Sequence, residues 1–212
     1  KKESWNIMTG NNYDFTLIKA GLLVDGNGGN NFQKASVLIK NGLIKEVGNQ
    51  ESVLAPEGSS VKVLDYGDKT ILPGLIDCHV HLNGIGDGRV GNDLVTLPDE
   101  VLALQSAKNA RRHLYSGVTT VRDCGAKNNT TFMLRKAVEM GITPSPRLIL
   151  TGRPLSIVGG HLGYFGEEAT GEIECIQSVR KLIKQGADFI KITATGGSTI
   201  TSLPFRPSFT RK

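Results

Sequence analysis

Ile71-Leu72-Pro73-Gly74-Leu75-Ile76-Asp77-Cys78-His79-Val80-His81 is a Pro-Gly entry, a short apolar run and two histidines one residue apart. A β-strand repeats every two residues, so a strand here sends His79 and His81 out on one face, where both imidazoles can reach one metal ion. The same alternation puts Asp77 with the histidines and leaves Ile76, Cys78 and Val80 as an apolar opposite face, suited to packing under helices. Two histidines hydrogen-bonded at a strand end would give the same local pattern. The Pro-Gly entry, the apolar strand and a second candidate ligand far downstream give the metal reading its weight.

Outward from this stretch the chain changes character. Upstream, short β-like runs succeed one another at Phe15–Ala20, Leu22–Asp25, Ser36–Lys40, Leu43–Gly48, Val61–Tyr66 and Thr70–Leu72. Asn41-Gly42 is a hairpin signal, because Asn-Gly accepts the positive φ values of a type I′ turn. The run Gly26-Asn27-Gly28-Gly29-Asn30 lacks the Gly-x-Gly-x-x-Gly order and has no helix after it, so it reads as a turn and not as a phosphate cradle. Residues 1–72 therefore form a small β domain. Downstream, from residue 73 to 212, strands and helices alternate, the pattern of a parallel sheet covered by helices. Strands are predicted at Gly74–His79, Thr119–Asp123, Arg147–Thr151 and Asp188–Ala194. Helices are predicted at Pro98–Tyr115, Thr130–Met140 and Gly171–Gln185, the first with Asp99-Glu100 at its positive dipole end and the last with Ile173, Ile176, Val179 and Ile183 on one apolar stripe.

Pro73-Gly74-Leu75-Ile76-Asp77-Cys78-His79-Val80-His81 resembles the first barrel strand of the amidohydrolase superfamily without departure. Ser116-Gly117-Val118-Thr119-Thr120-Val121-Arg122-Asp123, Gly159-Gly160-His161 and Gly186-Ala187-Asp188-Phe189-Ile190-Lys191 continue the resemblance from about Tyr13 to Thr210. Their order is similar to that of the zinc-dependent, prolidase-like dipeptidases acting on Xaa-Pro or Xaa-Arg substrates. The resemblance implies an α/β fold: the first half of a (β/α)₈ TIM barrel, preceded by the β-sandwich part. A closed barrel takes about 250 residues by itself, and only four of its strands are read here. The chain is thus expected to be the amino-terminal part of a longer enzyme, inactive and prone to aggregate when made alone.

The implied activity is hydrolysis of a peptide or N-acyl amide C–N bond by a metal-activated hydroxide, with two divalent ions, zinc by expectation. A cyclic-amide hydrolase or a deacetylase of the same superfamily remains open. So does a non-catalytic half-barrel that needs a second chain. His79 and His81 are the expected metal ligands. Lys191, between isoleucines that face away from it, would be expensive to bury as a bare ammonium. The resemblance implies a carboxylated Lys191 bridging the metals, against a Schiff-base lysine or one that snorkels to solvent. His161 is expected near the substrate, and Arg206 could meet a substrate carboxylate bidentately; a surface-loop histidine and a solvated arginine are the plain alternatives. Asp123 either orients a ligand or caps a turn, and His113 reads as a surface residue. The general-base aspartate and two more metal histidines belong to later strands of the family, beyond residue 212.

Composition excludes several other classes. The 212 residues are 39% hydrophobic and 21% charged, ordinary for a globular protein. The net charge of +5 comes from scattered Lys and Arg, which argues against a nucleic-acid surface. Three cysteines without a Cys-x-x-Cys pair argue against a disulfide framework or a zinc knuckle. No apolar run approaches the roughly 20 residues of a membrane span, and Lys1–Met8 lacks a signal-peptide core. The cytoplasm is the default location, with an upstream segment left open because the chain does not begin with Met. Expected partners are a small dipeptide or N-acyl amino acid and, at full length, further copies of the chain.

Overall fold

The computed structural model describes residues 13–87, 91–197 and 203–210; Lys1–Met8 lies outside them. The chain divides into two compact units, residues 1–73 and 74–212. No helix among the described residues is long and apolar enough to cross a membrane.

The first unit is a five-stranded sheet ordered β3-β2-β1-β4, with β5 also on β1. Its strands are β1 (Phe15–Leu23), β2 (Phe32–Lys40), β3 (Leu43–Asn49), β4 (Val61–Asp65) and β5 (Thr70–Ile71). Two runs expected as separate strands, Phe15–Ala20 and Leu22–Asp25, are one continuous β1: Gly21 does not break it but allows a close approach, since a Cβ there would lie 2.9 Å from the Asp68 Cα. Asn41 and Gly42 have φ values of 53° and 72°, the left-handed pair that the Asn-Gly hairpin demands. In the central strand β2 the run Ala35–Leu38 is buried throughout. Leu38 joins Phe15, Leu17 and Val53, while Ala35 and Val37 join Leu23, so both faces of the strand carry core.

The second unit holds a parallel sheet ordered β6-β7-β8: β6 (Leu75–Val80), β7 (Val118–Asp123) and β8 (Arg147–Leu150). Helix α1 (Asp99–Tyr115) follows β6 and α2 (Thr130–Glu139) follows β7. They bury one sheet face through Val80, Leu82, Ala110, Val121, Phe132, Leu134, Leu148 and Leu150. Each such aliphatic side chain removed from water stabilises the unit by roughly 1.5–3 kcal/mol. After β8 come the short parallel pair β9 (Leu155–Ser156) and β10 (Glu167–Glu168), then helix α3 (Glu172–Gln185). Gly186 ends α3 at φ 99°, the left-handed residue that lets its N–H reach the last-turn carbonyls.

Two expectations change here. The segment expected as a strand at Asp188–Ala194 runs beside β8 and β9 but forms only an isolated bridge, Leu155 to Ile192. The reason is that its partner turns away: Gly152 takes φ 71° and Pro154 has no N–H to give. A side chain closes the gap, Lys191 N–H donating to Thr151 Oγ1 (2.9 Å). In α3 the stripe Ile173, Ile176, Ile183 is exposed, and Leu182 with Ser178 is buried instead. The described residues supply no layer over that stripe; Ile176 and Val179 line an open apolar groove with Leu155, Ile192 and Phe209.

Candidate active site at the ends of the parallel strands

The entry to β6 is shaped by a close contact: a Cβ on Gly74 would collide with the Thr119 side chain, so glycine here lets β7 lie against the chain. The pairing of β6 with β7 then shifts twice. Asp77 pairs with Val121 and Val80 with Asp123, so three steps along β6 match two along β7, and one extra residue sits in the bulge between them. Residues paired across a parallel ladder share a face. Asp77 therefore sits on the helix side with Val121, not beside the histidines as strict alternation implied. Its carboxylate confirms the placement: Oδ2 is 3.9 Å from His113 Nε2 on α1. Oδ1 accepts the His79 N–H at 3.1 Å, satisfying a main-chain group that the bulge takes out of the ladder. His113, expected at the surface, is half-buried over β6, its Nδ1 3.0 Å from the Asn109 carbonyl. The expected apolar face also breaks up: Val80 is buried, while Ile76 and Cys78 are exposed.

Past the bulge, alternation resumes and sends His79 and His81 away from the helices, with ring centroids 5.5 Å apart. His81 Nδ1 lies 2.8 Å from the Gly125 carbonyl. A carbonyl only accepts, so Nδ1 carries the proton and Nε2 keeps its lone pair for a ligand. Burial holds His81 below the ordinary imidazole value, and the nearby His79, Lys191 and His161 charges push the same way against the Gly125 hydrogen bond. A neutral imidazole is the form that binds metal. The edge of Phe165 lies against it, centroids 6.4 Å apart.

Lys191 is fixed by its main chain on both sides: N–H to Thr151 Oγ1, and C=O accepting the Leu155 N–H at 2.8 Å. Its charge bears on His81, on His161 and on the thiol of Cys124, which gathers those groups at one place. Burial pushes the Cys124 thiol up and Lys191 opposes that shift. His161 stands in the loop between β9 and β10; Ser156 Oγ donates to its carbonyl at 2.9 Å, and Glu168 Oε1 accepts the Gly159 N–H at 2.9 Å. Burial, then Lys191, lowers the His161 value. Gly197 lies against the ring, where a Cβ would come within 2.6 Å of Nδ1. The loop is anchored by Glu167, which meets Arg153 at 2.6 Å and Lys181 at 3.0 Å.

Sequence and structure thus bring His79, His81, Lys191 and His161 together. Arg206 is exposed, with its main chain bonded to Gly196 and Leu203. Asp123 is fully buried on the helix side and accepts from Leu82 N–H (2.7 Å) and Gly125 N–H (3.1 Å), which is a capping role; burial raises its carboxyl to about 7. The Gly125 carbonyl and Phe165 escaped the sequence reading. Only Phe165 left a signal, as an aromatic within Gly163-Tyr164-Phe165-Gly166, directly after the Gly-Gly-His motif.

Among the described residues no three His, Cys, Asp or Glu side chains form a metal-holding group. What converges is two imidazoles, His79 and His81, with Lys191 and His161 beside them. The amidohydrolase family model matches residues 70–212.

The chain belongs to the amidohydrolase family. Ochratoxinase of Aspergillus niger is 28% identical to this amidohydrolase over 225 residues, covering 92% of this chain and 44% of that enzyme. A prolidase solved in complex with N-methylphosphonate-L-proline superposes with a TM-score of 0.79 at 28% identity, over 92% of this chain and 50% of its own. A Xaa-Pro dipeptidase with methionine bound in its active site superposes with a TM-score of 0.78 at 28% identity, over 92% of this chain and 51% of its own. The amidohydrolase chain spans about half the length of each.

Proposed function

We propose that this amidohydrolase cleaves the C–N bond of a dipeptide or N-acyl amino acid, with two zinc ions held in part by His79, His81 and a carboxylated Lys191. The observation that carries the proposal is the convergence of the His79 and His81 rings, on one face at the carboxyl end of β6, with Lys191 and His161. The likeness to prolidase and Xaa-Pro dipeptidase structures supports the substrate class. In this reading β6, β7, β8 and the segment 188–194 are the first four strands of a (β/α)₈ barrel, whose chemistry lies at the carboxyl ends of its strands.

When bound, the metals supply Lewis acidity and lower the pKa of a water toward neutrality. The chain's own residues do the rest of the work that falls to this half. The Gly125 carbonyl keeps the His81 proton on Nδ1. Thr151 and Leu155 hold the Lys191 main chain so that its side chain leaves toward the histidines. Carboxylation would join the neutral ε-amine to carbon dioxide through a new C–N bond and release one proton to water, giving an anion that could hold cations which an ammonium would repel. His161, seated against Gly197, hydrogen-bonds the substrate. The complete gene product containing these 212 residues, assayed against Xaa-Pro and Xaa-Arg dipeptides and N-acyl amino acids, should show zinc-dependent hydrolysis of at least one class. Activity unaffected by exhaustive chelation would refute the reading.

Seating His161 against a glycine has a measurable consequence. Gly197→Ala puts a methyl where the His161 ring lies, so the imidazole must shift to make room. The melting temperature should move little, while kcat/KM should fall about tenfold to a hundredfold, the loss that follows from misplacing a substrate contact by about 1 Å. An unchanged kcat/KM would remove His161 from the substrate site.

The 212-residue chain by itself should be inactive. Two imidazoles and a lysine make a poor binuclear site, and in this reading the general-base aspartate comes from a later strand. Leu75, Ile76, Ile173 and Ile183 are more than half exposed, and exposed apolar surface favours association. Light scattering of the isolated chain should show oligomers or aggregates; a monomeric, peptide-hydrolysing sample would overturn the expectation.

A further inference from the structure

We infer that Asp123 is a positioning residue whose buried carboxylate fixes the hydrogen bond that selects which ring nitrogen His81 presents. The inference rests on the reading of His81 as a metal ligand and adds a residue that touches neither metal nor substrate.

The two N–H groups that the carboxylate accepts belong to the residues on either side of the critical contact. Leu82, whose N–H donates to Oδ2 at 2.7 Å, follows His81 directly. Gly125, whose N–H donates to Oδ1 at 3.1 Å, owns the carbonyl that takes the His81 ring proton at 2.8 Å. A closed circuit results: carboxylate, Leu82, His81 ring, Gly125 carbonyl, Gly125 amide, carboxylate. The main chain leaving the histidine and the residue that receives its ring are thus both held by one rigid carboxylate.

Gly125 joins two peptide units, one carrying its N–H and the other its carbonyl. Its φ is 151°, and a Cβ at this position would lie 3.1 Å from Pro154 and 3.3 Å from His81 Cε1, so the peptide passes close under the ring it serves. Ala126 N–H, in the same planar peptide as the Gly125 carbonyl, donates to the Gly152 carbonyl at 2.9 Å and steadies that side of the glycine, while Asp123 holds the preceding peptide, which carries the Gly125 amide. Asp123 is 0% exposed and sits on the helix side of β7, too deep to reach a substrate. A carboxylate at that depth is costly unless hydrogen-bonded, and the two bonds it makes are those that fix His81. Asparagine has the same shape but opposes an NH₂ group to one of the two N–H donors, so Asp123→Asn breaks the circuit on one side.

The test reads the ring and not the reaction. Selectively ¹⁵N-labelled histidine in the metal-free complete gene product reports the tautomer of His81, assigned by its loss in His81→Asn. Wild-type protein should show His81 protonated on Nδ1; a proton on Nε2 overturns the inference before any variant is made. Asp123→Asn should convert that signal to a tautomer mixture and weaken zinc binding about 10- to 100-fold, the range for partners that orient a ligand. Leu134→Ala, a cavity in the same core away from His81, serves as the control for lost stability, and its tautomer should stay that of wild type. If Asp123→Asn does not accumulate folded, Asp123→Glu, which keeps the charge and displaces it by one methylene, should shift the tautomer in the same direction. An Asp123 variant that keeps the wild-type tautomer assigns the residue a merely structural role. Because the tautomer is read without metal, this outcome is separable from failure of the metal reading, which His81→Asn with unchanged zinc content would expose.

Discussion

Replacing His79 or His81 by asparagine in the complete gene product should lower bound zinc from close to two ions per chain and reduce kcat/KM for the best substrate about a thousandfold. The two rings leave β6 on one face, 5.5 Å apart, and an asparagine of similar reach offers no imidazole nitrogen. Lewis-acid stabilisation of developing charge is worth several kcal/mol, and about 4 kcal/mol of barrier corresponds to three powers of ten in rate. His81→Asn should have the larger effect, because its ring alone is oriented by the Gly125 carbonyl and packed by Phe165. Elemental analysis of metal content beside steady-state kinetics checks both halves. Wild-type zinc content and activity in both variants would remove the pair from the metal site.

The histidine pair was legible because its signal is local: period-two spacing at the end of an apolar run needs no knowledge of the rest of the chain. Lys191 was legible for a related reason, a charged residue between two isoleucines in an extended segment. Asp77 was misplaced by the same rule that found the histidines. Alternation holds only while the ladder is regular, and the bulge between Asp77 and Val80 moves the carboxylate to the helix side; nothing in Asp77-Cys78-His79 announces an extra residue. The isoleucine stripe of α3 failed differently. Helical periodicity identifies an apolar face but not what covers it, and among the described residues Leu182 and Ser178 take the buried positions. The Gly125 carbonyl could not be found from residue types at all. It is a main-chain group 44 residues from His81, and every residue has one. Placements set by side chains at local spacing could be read; contacts set by backbone geometry across the sheet required the fold.

Lys191→Ala should abolish detectable hydrolysis and lower zinc content, and a short carboxylic acid added to the variant should restore part of both. The argument begins with charge. An ammonium has three donors and no acceptor, so an unmodified Lys191 among His79, His81 and His161 would repel a cation that the imidazoles attract. The main chain fixes the residue between Thr151 and Leu155, leaving the side chain no regular ladder partner to turn toward. Carboxylation converts the same atoms into an acceptor of opposite charge that lies at the end of a four-carbon stem. Removing the side chain then leaves a gap with the dimensions of a small carboxylate, which is why an exogenous acid should occupy it. Lys191→Arg discriminates further: guanidinium keeps the positive charge and length but cannot be carboxylated under these conditions, so it should be as inactive as alanine and resist rescue because the gap is filled. A Schiff-base lysine predicts the reverse signature, trapping of a carbonyl substrate by borohydride and no response to added acid. Full activity in Lys191→Ala, or a bare ammonium turned away from an occupied metal site in a crystal structure of the complete enzyme, would refute the bridging role and leave the histidine pair to bind metal with other partners.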